Sequence, residues 1–115
     1  MEAQPREIRR YVTPQGKIPF ARWLESLRDL KAVVKIETRL DRLRQGNFGN
    51  CRSLGDGVSE LKIDYGPGYR IYFAQAGAIV ILLLCGGNKS TQIRDIRKAK
   101  EYWYDYQQHR NSEER

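Results

Sequence analysis

At 115 residues the chain has the length of one domain with one hydrophobic core, and we expect a single domain over residues 1–115. With 40% hydrophobic and 30% charged residues it has the composition of neither a disordered chain nor a membrane protein, and its longest apolar run, residues 78–85, is far shorter than the roughly 20 residues that span a bilayer. The net charge is +7, and residues 1–49 hold 11 Lys/Arg against 6 Asp/Glu. This charge fits an anionic partner, either nucleic acid or an acidic protein, and fits an ordinary solvated basic surface equally well.

The cysteines and the N-terminus both indicate a cytoplasmic protein. Cys51 and Cys85 lie on unlike segments, a loop and the end of an apolar strand, and we expect two unpaired thiols in a reducing compartment. Residues 1–10 contain no apolar signal core, so we expect no export.

The first 28 residues predict a strand and a short helix. Residues 6–12 are a candidate strand that ends at the turn-forming residues 13–16. Pro19 suits a first helical turn, and the spacing of the apolar residues that follow predicts an amphipathic helix over residues 19–28.

A second helix follows at once. Asp29 is its candidate N-cap, and Gly46 supplies its C-terminal stop. Its apolar stripe comprises Leu30, Val33, Ile36 (or Val34), Leu40 and Leu43. Residues 46–57 contain four glycines and two asparagines, and we predict a loop there.

Residues 58–65 and 69–75 are the best-patterned segment of the chain. Apolar and polar side chains alternate in both, and the Gly-Pro-Gly sequence at 66–68 predicts a tight turn between them. We expect an antiparallel hairpin whose apolar face packs against all three helices and whose other face is exposed and polar.

The polar face of this hairpin should bring four side chains together. A three-residue turn sets Asp64 opposite Arg70 and Lys62 opposite Tyr72, with Cβ atoms about 5 Å apart. For Asp64 and Arg70 a simple cross-strand ion pair is the alternative to a functional role.

The last third predicts a buried strand and a helix. Residues 79–84 have no polar member, which indicates a strand buried on both faces at the centre of the sheet. Asn88 or Ser90 would cap the helix. Its expected apolar stripe is Ile93, Ile96, Ala99, Trp103 and Tyr106. We expect the aromatic residues at 102–106 to pack against the sheet, with base stacking as the alternative, and residues 108–115 to fray. The predicted fold is α+β in the order β-α-α-β-β-β-α, an antiparallel-rich sheet packed against helices.

Several catalytic systems lack their residues. His109, the one histidine, lies in a polar tail, so Ser/His/Asp and Cys/His systems have no base. Two cysteines and one histidine far apart in sequence lack metal-ligand spacing, and no segment has the spacing of a P-loop. We expect no metal and no cofactor.

A cationic site remains. Lys62, Arg70 and Lys89 should converge where the hairpin meets the loop after the apolar strand. Such a cluster fits a phosphodiester, and RNA cleavage needs no cofactor because the 2′-hydroxyl is the nucleophile. An arginine stabilises charge on the phosphorane oxygens, and lysines crowded by other cations can transfer protons. Tyr72, Asp64 or a tyrosine of the last helix would assist.

Three segments carry a family resemblance. SLGDGVSELKIDYGPGYRIYF, then ILLLCGGNKSTQ and the helical DIRKA, resemble the RelE/ParE superfamily of type II toxin–antitoxin toxins, and most closely the HigB-like branch of addiction-module killer proteins. IPFARWLESL also matches, so the resemblance covers residues 6–107. It implies a small RelE-like fold related to microbial RNases, cleavage of mRNA in the ribosomal A site, and neutralisation by a helix-turn-helix, HigA-like antitoxin.

The resemblance also implies roles for particular residues. Lys62 in ELKID and Arg70 in GYRIYF match positions of basic catalytic residues, and Lys89 in GGNKSTQ matches a position for phosphate binding or leaving-group protonation. Substrate-binding roles are expected for Asp64, Tyr72, Thr91, Gln92 and Tyr102. Relatives use a tyrosine or histidine near the C-terminus as general acid, which leaves tyrosines 102, 104 and 106 and His109 as candidates here.

A relative of another class is the alternative. ParE-type members are not enzymes and inhibit DNA gyrase by binding it. RNA cleavage needs a cluster of basic side chains and gyrase binding does not. The presence of Lys62, Arg70 and Lys89 therefore favours the RNase. A degenerate toxin or a plain nucleic-acid-binding module is the remaining possibility.

Overall fold

A five-stranded mixed sheet with helices on both faces forms the molecule in the computed structural model, which describes residues 4–113. In chain order the elements are β1 (Glu7–Arg10), α1 (Pro19–Ser26), α2 (Leu30–Arg44), β2 (Cys51–Gly55), β3 (Val58–Ile63), β4 (Tyr69–Ala76), β5 (Val80–Gly87), a 3-10 turn (Lys89–Thr91) and α3 (Gln92–Glu113). The strands lie in the order β1-β5-β4-β3-β2, where β1 is parallel to β5 and the other pairs are antiparallel. The fold is therefore compact and α+β, as predicted, with one strand more than predicted.

The first face of the sheet packs against α1 and α2. Phe20 of α1 and Ile36 of α2 are fully buried against Ile71 of β4 and Leu83 of β5. Burying one such side chain contributes about 1.5–3 kcal/mol. The sequence places these residues correctly because helical spacing and strand alternation both point to this core.

The second face packs against α3, which corrects the prediction that all three helices share one face. Ala99 of α3 is fully buried with Val58, Tyr72 and Leu84 of the sheet. The face expected to be polar and exposed is therefore a second core, because a 22-residue helix follows β5 and covers it. Of the predicted strand over residues 79–84, residues 81–84 are buried on both faces as predicted, whereas Ile79 precedes β5 and is 61% exposed. The middle strand of the sheet is β4, not β5 as predicted.

Strand β2 lies where the sequence predicted a loop at residues 46–57. It forms a hairpin with β3 through Asp56 and Gly57, whose φ angles of 55° and 85° are both positive. Asp-Gly is the preferred dipeptide of such two-residue hairpin turns, so the signal was present but hidden among the surrounding glycines.

The register of the β3–β4 hairpin also differs from the prediction. Ile63 pairs with Tyr69 and Lys62 with Arg70, so Asp64 falls outside the strand, in a turn over residues 64–68. This turn has two residues more than predicted. Because strand side chains alternate with period two, the shift keeps every residue on its expected face but changes its partner.

Helix boundaries agree with the sequence, while some exposed positions do not. Asp29 caps α2 by accepting from the backbone amides of residues 31 and 32, and Gly46 follows the helix with a φ of 86°. Leu30 and Ile93, predicted in apolar stripes, are exposed, Ile93 to 80%. Helix α3 continues to residue 113 through most of the predicted fraying tail, and residues 114–115 lie outside the described residues.

Among the described helices, none combines the length and the apolar character that crossing a membrane requires.

Candidate functional site

Two adjacent cross-strand pairs form the base of the candidate site. On β3 and β4, Glu60 pairs with Tyr72 and Lys62 pairs with Arg70. All four side chains lie on the α3 side of the sheet because they are two residues apart along each strand. Lys62 and Arg70, predicted from the sequence as catalytic residues, are thus direct neighbours.

A polar cavity of about 290 Å³ opens above these pairs. It is lined by three cations, one carboxylate and two amides: Arg52, Lys62, Arg70, Glu60, Asn50 and Gln92. The edge strand β2 contributes Arg52, and the first turn of α3 contributes Gln92. The site therefore depends on the strand that sequence reasoning missed.

Glu60 occupies the centre of this cavity wall and is only 3% exposed. Gln92 Nε2 donates to its Oε2 at 2.9 Å, while Oε1 lies 3.3 Å from Arg52 Nε and 3.5 Å from Arg70 Nε. A buried carboxylate is strongly destabilising unless it is paired and hydrogen-bonded. Both of its oxygens are thus occupied, which makes Glu60 the common partner of two guanidinium groups.

Arg70 is a buried cation held at two points. Its side chain is 7% exposed, and Nη1 donates to the carbonyl oxygen of Gly68 at 2.7 Å. Gly68 has a φ of +77°, and a Cβ there would lie 3.2 Å from that same Nη1. Glycine at 68 thus provides both the turn conformation and the space that Arg70 occupies.

Lys89 lies beside the same turn. Its backbone amide donates to Pro67 O at 3.3 Å, and its Cβ would be 3.6 Å from a Cβ at Gly68. Asn88 fixes this segment, since its Oδ1 accepts from the Ser90 amide at 2.9 Å. Arg70 and Lys89 therefore both lie at this turn, and Lys62 is the strand neighbour of Arg70, although Lys89 lines a second cavity.

That second cavity, of about 460 Å³, runs along the start of α3. It is lined by Lys89, Ser90, Thr91, Gln92, Ile93, Arg94 and Arg97. Gln92 borders both cavities, so the two cationic surfaces are continuous at this residue.

Asp64 and Tyr72 do not have the surroundings predicted for them. Asp64 is exposed and lies 3.4 Å from Lys62 Nζ, so the predicted pair with Arg70 is wrong. Tyr72 is fully buried under α3, and its hydroxyl has no hydrogen-bond partner within the described residues. Burial, with the nearby Glu60 carboxylate, raises the pKa of Tyr72, so its hydroxyl stays protonated behind the cavity.

Thr91 and Tyr102 make contacts within the protein. Thr91 Oγ1 donates to the buried carboxylate of Asp95 and accepts from the backbone amide of Asn88. The Tyr102 ring stacks on Tyr11 with 5.0 Å between centroids, and burial raises its pKa. Thr91 borders the second cavity, whereas Tyr102 lines neither cavity.

The two thiols lie outside both cavities. Cys85 is buried, and burial raises its pKa to about 12. Cys51 is half-buried with its pKa raised by burial to about 11. Both remain protonated near neutral pH, so neither has the thiolate character of a nucleophile. Within residues 4–113 no cluster of His, Cys, Asp and Glu side chains could hold a metal ion.

One relative places the chain in a family. The chain is similar to an uncharacterized protein of Haemophilus influenzae, with 48% identity over 83 residues that cover 72% of this chain and 84% of that protein. The chain belongs to the family of this protein. No family model and no solved structure matches the present chain.

Three residues that line the first cavity of this chain were not predicted from the sequence: Asn50, Arg52 and Glu60. The Asp56-Gly57 turn signal would have placed β2 beside β3 and hence Arg52 beside Glu60. The burial of Glu60 has no signal in the sequence, because alternation alone does not tell that α3 covers this face. The assembled site can bind an anion with three or more cations and can place a guanidinium against one phosphate.

Proposed function

We propose that the protein is the toxin of a type II toxin–antitoxin system, a RelE/ParE superfamily member closest to the HigB-like branch. In this proposal it is a metal-independent endoribonuclease that cuts mRNA on the ribosome. The observation that supports this most is the direct pairing of Lys62 with Arg70, with Lys89 beside Gly68, the residue that Arg70 also contacts. Its partners would be mRNA, the ribosome and a cognate HigA-like antitoxin.

The chemistry of the proposed reaction fits these groups. The 2′-oxygen loses its proton and bonds to phosphorus, the bond from phosphorus to the 5′-oxygen breaks, and that oxygen takes a proton. A 2′,3′-cyclic phosphate and a 5′-hydroxyl result. Arg70 would stabilise the charge on the phosphorane oxygens. Lys62, which is 43% exposed, and the exposed Lys89 can reach a bound strand to hold phosphate and exchange protons.

The decisive experiment is to express the protein without antitoxin and to map mRNA 5′ ends in translating extracts. We expect new 5′ ends with the wild type, and their loss in Lys62→Ala and Arg70→Ala proteins that remain folded. Lys31→Ala removes the same charge from the exposed surface of α2 and should cut normally.

Two results would argue against the proposal. Intact mRNA together with blocked DNA supercoiling would indicate a gyrase inhibitor. Undiminished cleavage by both variants would remove Lys62 and Arg70 from the chemistry. If the two residues act in chemistry, both variants should still bind antitoxin almost normally.

A further inference from the structure

The carboxylate of Glu60 is buried between two arginines and is assigned no role by the reaction just described. We propose that Glu60 is a positioning residue, which holds the Arg70 guanidinium with its free N–H groups facing the phosphate. The proposal rests on the RNase function above and adds a residue that acts through Arg70.

The hydrogen bonds of Arg70 leave one part of its guanidinium open. An arginine has five N–H donors. One on Nη1 goes to Gly68 O, and the Nε–H lies beside Glu60 Oε1. Among the described residues the one side-chain hydrogen bond of Arg70 uses Nη1, which leaves Nη2 to other acceptors, and Arg70 lines the cavity. Glu60 and Gly68 therefore fix the orientation while the remaining donors stay available for an anion.

The contact between Glu60 and Arg70 has room to tighten. Arg70 Nε is buried and lies 3.5 Å from Glu60 Oε1, yet it makes no hydrogen bond. Catalytic hydrogen bonds are often long before substrate binds and shorten in the complex. A phosphate on the opposite side of the guanidinium is expected to press Nε towards the carboxylate.

The same geometry argues against Glu60 as the base of the reaction. Gln92 occupies one carboxylate oxygen, and the two arginines occupy the other. Taking a proton would break these contacts and leave two guanidinium groups close together without a counter-ion. A negative Glu60 instead allows Arg52 and Arg70 to lie in one small cavity.

A double-mutant cycle tests whether Glu60 acts through Arg70. Glu60→Gln keeps the shape and removes the charge, and we expect it to slow mRNA cleavage about tenfold or more by misplacing Arg70. In an Arg70→Ala background the same change should alter the residual rate, measured with the protein in large excess over mRNA, by less than about twofold. Asp41→Asn is the matched control, because it removes the same charge from an exposed pair with Arg44 and should cut normally.

A spectroscopic readout separates this proposal from the proposed function. In ¹⁵N-labelled protein the Arg70 Nε–H signal should shift in Glu60→Gln and not in Asp41→Asn, and inorganic phosphate should perturb it more weakly in Glu60→Gln than in the wild type. If the wild type cuts no mRNA, the RNase proposal fails and this readout alone decides the role of Glu60. If Glu60→Gln does not fold, Gln92→Leu replaces it, because this variant removes a hydrogen bond to Glu60 and keeps the charge of the carboxylate. The same double-mutant cycle and the same Arg70 Nε–H signal are then measured for Gln92→Leu.

An equal loss from Glu60→Gln in both backgrounds would show that Glu60 acts independently of Arg70 and would overturn the proposal. Unchanged cleavage and an unchanged Arg70 signal in Glu60→Gln would overturn it as well.

Discussion

Gly87 leaves space where β5 passes the start of α3. A Cβ at this position would lie 1.8 Å from Asp95 Oδ2 and 2.8 Å from Thr91 Oγ1, two atoms that are hydrogen-bonded to each other. Asp95 is buried and held by this hydrogen bond, so moving its carboxylate away would break a buried contact. The absence of one methyl group thus allows the turn that carries Lys89 to pack closely on the sheet.

Substituting Gly87→Ala should therefore cost about 1–3 kcal/mol in the free energy of unfolding, through overpacking. Urea denaturation measures this cost. Because the clash is with Asp95, the cost of Gly87→Ala should shrink in an Asp95→Ala background. Simple additivity of the two changes would contradict this account. Gly77→Ala has open space and a φ of +82°, and it reports backbone strain alone.

The start of α2 shows how an element is tied to the site. Asp29 caps the helix and also accepts from the Tyr65 hydroxyl at 2.9 Å, which joins α2 to the turn after β3. This hydrogen bond holds the pKa of Asp29 below its ordinary value, and the backbone amides of Ala32 and Lys31 add to the effect.

The lowered pKa predicts a pH dependence for this element. A carboxyl whose pKa is depressed by folding contributes stability above its unfolded pKa of about 3.9, and the contribution is lost as pH falls through the folded value. Asn is also a good N-cap, so Asp29→Asn isolates the charge. The Tm advantage of the wild type over Asp29→Asn should shrink from about pH 6 to about pH 3. Tyr65→Phe should lose part of the same dependence, and a Tm difference constant with pH would contradict the prediction.

Element types were predictable, but pairing was less so. The α2 cap at Asp29 and the buried strand at residues 81–84 follow from local signals. The length of the turn over residues 64–68 did not follow from local signals. Gly66 and Gly68 both adopt positive φ angles and support a longer loop than their spacing in the sequence suggests. Local composition identifies a turn more readily than its length.

At the scale of the molecule, the site is made by elements distant in sequence. The proximity of Lys62 and Arg70 was predictable because they lie in one hairpin, although each was expected opposite another residue. Arg52 and Gln92 reach the cavity from β2 and α3, and the burial of Tyr72 depends on which face α3 covers. Which elements meet at the cavity, and which face of the sheet a helix covers, cannot be predicted from the alternation of apolar and polar residues in a single strand.

With the proposed function, the cationic surface at the start of α3 predicts how RNA binding should depend on salt. Arg94 and Arg97 line the second cavity beside Lys89. The test uses a 2′-O-methyl RNA, which cannot be cut, and plots log Kd against the logarithm of the salt concentration. The slope of this plot should decrease by about 0.7 for each phosphate contact that Arg94→Ala and Arg97→Ala remove. A fluorescence anisotropy titration at several salt concentrations measures this slope.

The matched control for this prediction is Lys31→Ala with Arg42→Ala, which removes two exposed charges from α2 on the other side of the sheet. Its slope should equal that of the wild type. A similar loss in both double variants would mean that net charge, and not this surface, determines binding.

The parallel pairing of β1 with β5 has a consequence for the newly made chain. Glu7 pairs with Val80, so the first strand has no neighbour until nearly the last strand has been synthesised. Lys89 and Gln92 complete the site still later. On a translating ribosome the growing chain thus lacks both the partner of its first edge strand and the complete set of cations around the two cavities until these residues have been made. The cavity that Gln92 borders therefore forms only once β5 and the first turn of α3 have been made.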